Sequence, residues 1–280
     1  MHTVSQLIDA RADIGPQKIA VIDRGGIWTY AELAAESRRL AGGLLKLGIG
    51  SGDRVGFWLP NIAQYLTLHI ACARIGAITV SINTRYRSSE VGDIVGRSGC
   101  RALVLWPSFK DIAFLDILAE VDRTDLEQLE FLITYSEGEQ EIQLPGRLLS
   151  QRTVPYTDLA RSEMFTSDGA TAQNGVVVFT TSGTTAAPKF VLHSQASISH
   201  HAHDVASFFD WNEPDAVLLQ VLPLCGTFGH AGAMAALSAG CPMVLMPAFS
   251  DHEAVQLMQS HRVTHCNGSD EMFARMLAAA

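Results

Sequence analysis

Five hydroxyl side chains and one glycine fill the six positions Thr180 to Thr185, within the stretch FTTSGTTAAPKF (179–190). An apolar run, Val176 to Phe179, leads in, and Pro188 and Lys189 follow. Hydroxyls and glycine N–H groups can wrap an anion because each donates without adding bulk, and successive N–H groups in a turn form an anion nest. Gly183 permits backbone geometry that a side chain blocks, and Lys189 supplies a mobile positive charge. These residue types suit phosphate binding at the end of a strand. They do not form a Walker loop, which needs glycine directly before the lysine and a hydroxyl directly after it; here Pro188 and Phe190 flank Lys189. On residue types alone, a Thr/Ser-rich connection with an exposed lysine explains the stretch equally well.

Other groupings are weaker. HHAHD places His200, His203 and Asp204 at helical spacings of three and four, which could present metal ligands on one face. No second ligand cluster accompanies them, so a polar helix face is the preferred reading and no protein metal site is expected. Cys225 and His230 could pair as nucleophile and base only by proximity, and a buried small hydrophobe is the better account of each cysteine. His69 lies on an apolar helical segment and reads as a core or lobe-interface histidine.

Composition narrows the classes. A chain of 280 residues, 48% apolar and 18% charged, can bury a substantial core. A net charge of −9 leaves no basic footprint for nucleic acid or an anionic membrane. The 5 cysteines are odd in number and scattered, which fits thiols in a reducing cytosol. The N-terminus is too polar and acidic for a secretory signal, and a cytoplasmic location is expected. From Ala216 to Ser250 no charged residue occurs, but Gln220, Pro223, His230, Pro242, Pro247 and several glycines interrupt the apolar run. A membrane span needs about twenty predominantly apolar residues in a row, so buried strands and a small-residue helix are expected here instead.

The elements that must position the hydroxyl-rich stretch alternate along the chain. Thr29 and Glu32 have capping-box spacing before a helix that Gly48 ends. Strands are expected at 55–59, 77–82, 100–106 and 129–134, with helices from Pro60-Asn61 to about Ile75, from Ser88 or Ser89 to about Arg97, and near 111–120. Residues 136–174 lack sustained periodicity and read as a long connection. Alternation resumes with strands at 176–180, 216–222, 242–246 and 263–266. Helices are expected at about 195–209, 229–239 and 251–261, and from Ser269 onward. Such alternation implies an α/β fold with parallel-rich sheets covered by helices. The expected division is a first lobe with a trailing connection (1–165), then the phosphate-loop segment and a second lobe (166–280).

TTSGTTAAPK closely resembles the Thr/Ser/Gly-rich loop of the AMP-forming adenylate enzymes, which include acyl-CoA synthetases, aryl-CoA ligases and adenylation domains. TYAEL (29–33), GDRV (52–55), LPN (59–61), RIGAITVSINTRY (74–86), the Glu90 helix and SGCRALV (98–104) match that family in order and spacing. VLPLCGTFGHAGAMAALSAG (221–240) resembles its next signature, and VTHCNG (263–268) its next core strand. The resemblance implies two stacked lobes of an adenylate-forming N-terminal domain. It implies use of ATP and Mg²⁺ to convert a carboxylic acid to an acyl-adenylate with release of pyrophosphate, then transfer to CoA. Thr181, Ser182, Gly183, Thr184 and Thr185 would bind the ATP phosphates with Lys189, and Thr184 and Lys189 would be the catalytic pair. Gly226, Thr227, Phe228 and His230 would line the acyl pocket.

Three positions depart from the family pattern. Ala186 and Phe190 stand where glycine is common, and Gly226 stands where a histidine or aromatic usually does, which implies a wider site. The family's acidic, ribose-binding, hinge and C-terminal lysine positions would all lie beyond Ala280. The chain stops in mid-helix at EMFARMLAAA, so it is expected to be the N-terminal part of an acyl- or aryl-CoA synthetase, inactive alone. Its partners would be a small carboxylic acid and the rest of the enzyme, with homo-oligomer formation left open. A carrier-protein-loading adenylation domain and a non-catalytic nucleotide-binding scaffold are the rival readings.

Overall fold

A computed structural model of the chain describes residues 3–110, 112–138, 142–181 and 188–280. Two sheets organise it, each mainly parallel. The larger has seven strands: β3 (Arg54–Trp58), β4 (Ile78–Ser81), β5 (Cys100–Leu105), β6 (Phe131–Thr134), β7 (Arg152–Pro155), β8 (Gly175–Thr181) and β9 (Lys189–Ser194), in the order β7-β6-β5-β3-β4-β8-β9. The smaller contains β1 (Ile19–Asp23), β2 (Gly26–Thr29), β10 (Leu218–Gln220), β11 (Met243–Leu245) and β12 (His265–Cys266), in the order β12-β10-β11-β1-β2. Among the described residues, only the hairpins β1–β2 and β8–β9 pair antiparallel. Sheet membership crosses the expected division at residue 165 in both directions. The hairpin β1–β2 extends the sheet of the later strands, and β8–β9 closes the sheet of the earlier ones.

Helices α1 (Val4–Ile14), α2 (Tyr30–Lys46), α3 (Ala63–Ile75), α7 (Gln195–Phe208) and α8 (Thr227–Ala239) form an inner layer. Helix α3 touches β4 of one sheet and β1 of the other, while α7 lies on β9 and packs against α8, which lies on β10 and β11. All thirteen residues of α3 are buried. The helix has protein on every side, and its buried Arg74 and His69 are both partnered. Helices α4 (Ser88–Ser98) and α5 (Phe114–Ala119) pack together, and α9 (Asp251–Ser260) packs with α10 (Asp270–Ala279).

Several boundaries follow local chemistry. Thr29 and Glu32 form the expected capping box on α2, and Gly48 takes a positive φ of 78° just past its end. Helix α4 starts at Ser88, so its cap position is Arg87, whose N–H donates to Glu90 at 3.1 Å. The connection expected over 136–174 is not free of secondary structure, because it holds β7 and helix α6 (Tyr156–Ala160). In β7, RTVP, only Val154 is buried, so this short edge strand carries little apolar alternation to read. Helix α1, the hairpin β1–β2 and strand β9 are further elements beyond the sequence expectations.

A buried ion-pair network ties the inner helices to the approach of β8. Arg74 of α3 is 0% exposed and pairs with Asp9 of α1 and, at 3.3 Å, with Asp168; its Nε donates to Ser37 of α2 at 3.0 Å. Asp168 also accepts from Ser5. A buried guanidinium is tolerable only with such full pairing, and here the pairing fixes the segment that enters β8.

Candidate functional site

The hydroxyl-rich stretch joins β8 to β9. Ser182, Gly183, Thr184, Thr185 and Ala186 lie outside the described residues, so the site is built from its two flanks. The β8–β9 ladder ends on Thr181 opposite Lys189, with Phe179 opposite Val191 and Val177 opposite His193. Residues two apart on a strand, and those directly opposite in an antiparallel pair, share a face. Thr181 and Lys189 therefore share the face of Phe179 and His193, about 7 Å along the strand from Phe179 and about 14 Å from His193 at 3.4 Å per residue. Lys189 is exposed and forms no ion pair among the described residues.

Phe190 lies on the opposite face, where α4 meets it. The guanidinium of Arg97 sits 4.4 Å from the Phe190 ring centre. It donates to the Pro188 carbonyl at 2.7 Å and pairs with Asp93 at 2.7 and 2.8 Å. The phenylalanine that replaces a commonly glycine position is thus stacked in place, and the flank carrying Lys189 is anchored from behind.

On the front face, Phe179 and His193 help to line a cavity of about 180 Å³. Ser197, Ile198, His201 and Ala202 of α7 and Thr227, His230, Ala231 and Met234 of α8 complete it. Of the four expected acyl-pocket residues, Thr227 and His230 line this cavity. Gly226 caps α8 without reaching it, and Phe228 is 82% exposed.

The turn before α8 is held by a motif from the other sheet's side. Asn61, at the head of α3, donates to the Leu222 carbonyl at 3.0 Å and accepts from the Leu224 N–H at 2.8 Å. Gly229 is required there, since a Cβ would fall 2.0 Å from the Pro223 carbonyl oxygen. At Gly226 the same oxygen would be 3.4 Å away and φ is −99°, so no such demand exists.

His230 reaches inward to a residue distant in sequence. Its Nε2 lies 3.1 Å from His69 Nε2, and His69 Nδ1 lies 2.9 Å from Thr79 Oγ1. Phe179 packs edge-on against the His230 ring with centres 5.2 Å apart. Burial pushes His69 down to about 4 and His230 well below its ordinary value, the latter reinforced by His69, His193 and His201. Both rings are neutral at physiological pH. Burial also raises Cys225 to about 12, which works against the thiolate that a Cys225–His230 nucleophile needs, and His230 Nε2 is engaged with His69 instead.

Among the described residues no group of three His, Cys, Asp or Glu side chains could hold a metal ion. No described helix is long and apolar enough to cross a membrane. Sequence reasoning missed Phe179, His193, His201, Asn61 and Arg97 as site residues and read His69 as a core or lobe-interface histidine. Local spacing offers no signal for any of them; their roles arise from contacts between distant segments.

This strand-end cation, facing an apolar cavity across one sheet face, sits in a fold shared with known enzymes. Residues 8–280 match the family model for AMP-binding enzymes; the chain belongs to that family. The human mitochondrial medium-chain acyl-CoA ligase ACSF2 is 27% identical over 98% of this chain and 48% of its own length. An anthranilate CoA ligase, AuaEII, solved with anthranoyl-AMP, superposes with a TM-score of 0.82 at 21% identity, over 99% of this chain and 51% of that one. The Bacillus subtilis o-succinylbenzoate CoA synthetase, solved with its acyl-adenylate, gives 0.74 at 23% identity, over 98% and 50%. The two-sheet architecture is therefore that of the N-terminal domains of adenylate-forming enzymes. The chain spans about half the length of the curated relatives it matches.

Proposed function

We propose that these residues form the nucleotide-phosphate and acyl-binding part of an ATP-dependent acyl- or aryl-CoA synthetase. The observation that carries this reading is the shared sheet face, which sets Lys189 and Thr181 about 7 Å beyond the cavity wall at Phe179. Acyl-adenylate formation needs that juxtaposition, because a carboxylate must reach the α-phosphate of ATP while its acyl group is held away from water. Lys189, uncommitted to any described ion pair, fits a phosphate oxygen. Thr181 would donate its hydroxyl beside it, with Ser182, Gly183, Thr184 and Thr185 supplying further donors and Thr184 acting with Lys189 on the charge that develops. Donors aimed at that charge lower the barrier to in-line attack.

The acyl group would occupy the cavity. Thr227 and the first N–H groups of α8, which have no intrahelical partner, face an anion favourably, so they would orient the carboxylate. Gly226 adds no side chain at that turn. Among the described residues no side chains gather to hold Mg²⁺; Mg²⁺ would accompany ATP, and CoA would accept the acyl group. Because the relatives are about twice as long, residues 1–280 alone are expected to bind nucleotide without turnover.

Calorimetric titration of the chain with ATP and MgCl₂ tests the reading. Binding that weakens about ten- to a hundredfold in Lys189→Ala supports it, the range expected for losing a charged hydrogen bond. ATP binding unaffected by that change would remove Lys189 from the site, and absence of binding to the wild-type chain would reject the nucleotide site.

A further inference from the structure

The cavity has a size and a lining that say more than "acyl group". At about 180 Å³ it slightly exceeds the apolar cavity of about 150 Å³ that accommodates a benzene. Phe179, Ile198, Ala202 and Met234 give it apolar walls, yet three imidazoles, from His193, His201 and His230, line it too. A pocket for a plain alkyl chain gains nothing from such groups and loses their hydration.

The His230 ring is 2% exposed and His69 and Thr79 are each 0% exposed, so a chain of polar side chains runs from the cavity into the core. The inner end of this chain is satisfied. At the outer end, His230 Nε2 is committed to His69, which leaves Nδ1 for a group in the cavity.

We propose that the acid recognised here has a compact acyl group, about the size of one ring, bearing a hydroxyl that hydrogen-bonds His230. This rests on reading the cavity as the acyl site. A hydroxyl both donates and accepts, so it serves whichever tautomer the His69–His230 pair adopts. A second carboxylate suits the site less well, since it would be desolvated against a neutral ring. A site built around a substrate hydroxyl rejects the analogue without it strongly, because its own polar group is then left unpaired.

The test uses unreactive acyl-adenylate mimics, N-acylsulfamoyl adenosines, bound to the chain and measured by calorimetry. The acyl groups are benzoyl, its three monohydroxy isomers, and dodecanoyl. At least one hydroxybenzoyl compound should bind about ten- to a hundredfold more tightly than benzoyl, and dodecanoyl should bind more weakly than either. His230→Leu should bring the ratio of hydroxybenzoyl to benzoyl affinity, measured within the variant, to near unity whatever the change in benzoyl affinity itself, and His230→Gln should restore part of that ratio. If His230→Leu fails to fold with His69 left unpaired, the double variant His69→Leu/His230→Leu removes both rings together and is read the same way. Equal binding of benzoyl and all three isomers, a preference that survives loss of His230, or tight dodecanoyl binding would overturn the proposal. No binding by any compound, benzoyl included, would overturn the adenylate reading beneath it; binding of all without a hydroxyl preference would overturn this inference alone.

Discussion

The outer end of the β8–β9 hairpin and the cavity beside it lie on one sheet face, yet they are built on opposite principles. At the hairpin end, Lys189 is exposed, charged and unpaired among the described residues. Two residues inward, Phe179 packs on a histidine that burial keeps neutral, and that histidine leans on a second neutral ring. The polar gradient along this face runs from solvent-screened charge to desolvated hydrogen bonding within about 7 Å. A ligand that spans it, as proposed, would be anionic at one end and weakly polar at the other. The acid joined to a nucleotide in the proposed function has that shape, and the difference between the regions is what supports the proposal.

The comparison can be broken most severely at the turn that sets α8 against the hairpin. Gly229→Ala drives a Cβ into the Pro223 carbonyl and is expected to cost more than about 2 kcal/mol, from a backbone shift with no flexible side chain to yield. Gly226→Ala, three residues earlier, should stay within about 0.5 kcal/mol. Urea unfolding of the two variants compares them directly; equal costs would mean that the turn is not held as described.

The second break is electrostatic. Lys189→Ala should weaken ATP binding about ten- to a hundredfold and leave the melting temperature within about one degree, since an exposed lysine supports no packing. A large drop in melting temperature would make it a structural residue.

Acid should act on the buried region and spare the exposed one. His69 titrates near the usual 6.5 when unfolded and at about 4 when folded. Between those values the unfolded chain holds a proton that the native chain lacks, so stability is lost as pH falls below about 6.5 and is flat above it for this group. The groups facing the pair are Cys72 and Thr79 on the His69 side and His193 and His201 on the His230 side. None of them supplies a carboxylate to reverse the sign. The slope is about 1.4 kcal/mol per pH unit for each such histidine, measurable by urea midpoints from pH 7 to 5. In His69→Leu/His230→Leu the slope should flatten; an unchanged slope would place the acid-sensitive groups elsewhere.

The smallest effect is expected at Arg97. Removing its stack on Phe190 and its bond to the Pro188 carbonyl in Arg97→Ala should weaken ATP binding a few-fold, about 0.5–1 kcal/mol for a partly exposed contact. Arg97→Lys should recover little of this, because lysine lacks the planar fork. Wild-type affinity in Arg97→Ala would show that the anchor does not bear on nucleotide binding.

The two regions also differ in how far the sequence reveals them. Thr181 and Lys189 lie within a dense local cluster, and local clusters survive in a linear string. The alternation of strands and helices, the Thr29–Glu32 cap and the α8 segment were legible for the same reason. The β1–β2 hairpin is short, and β9, KFVLHS, shows mixed burial without a clean two-residue period, so neither stood out. Their crossing between sheets is a tertiary fact that no window of sequence contains. His69 and His230 are 161 residues apart, and only the stacking of α3 against the α8 turn, fixed by Asn61, makes them a pair.

Hydrogen exchange reads both regions at once and tests the central claim most directly. The chain would be followed with ATP and MgCl₂ alone and then with a benzoylsulfamoyl adenosine. ATP should slow exchange at the end of β8 and the start of β9, and the mimic should slow exchange there and in the first turn of α8 together. Protection confined to one region with the mimic, or absent from both, would contradict a single site running from Lys189 to His230.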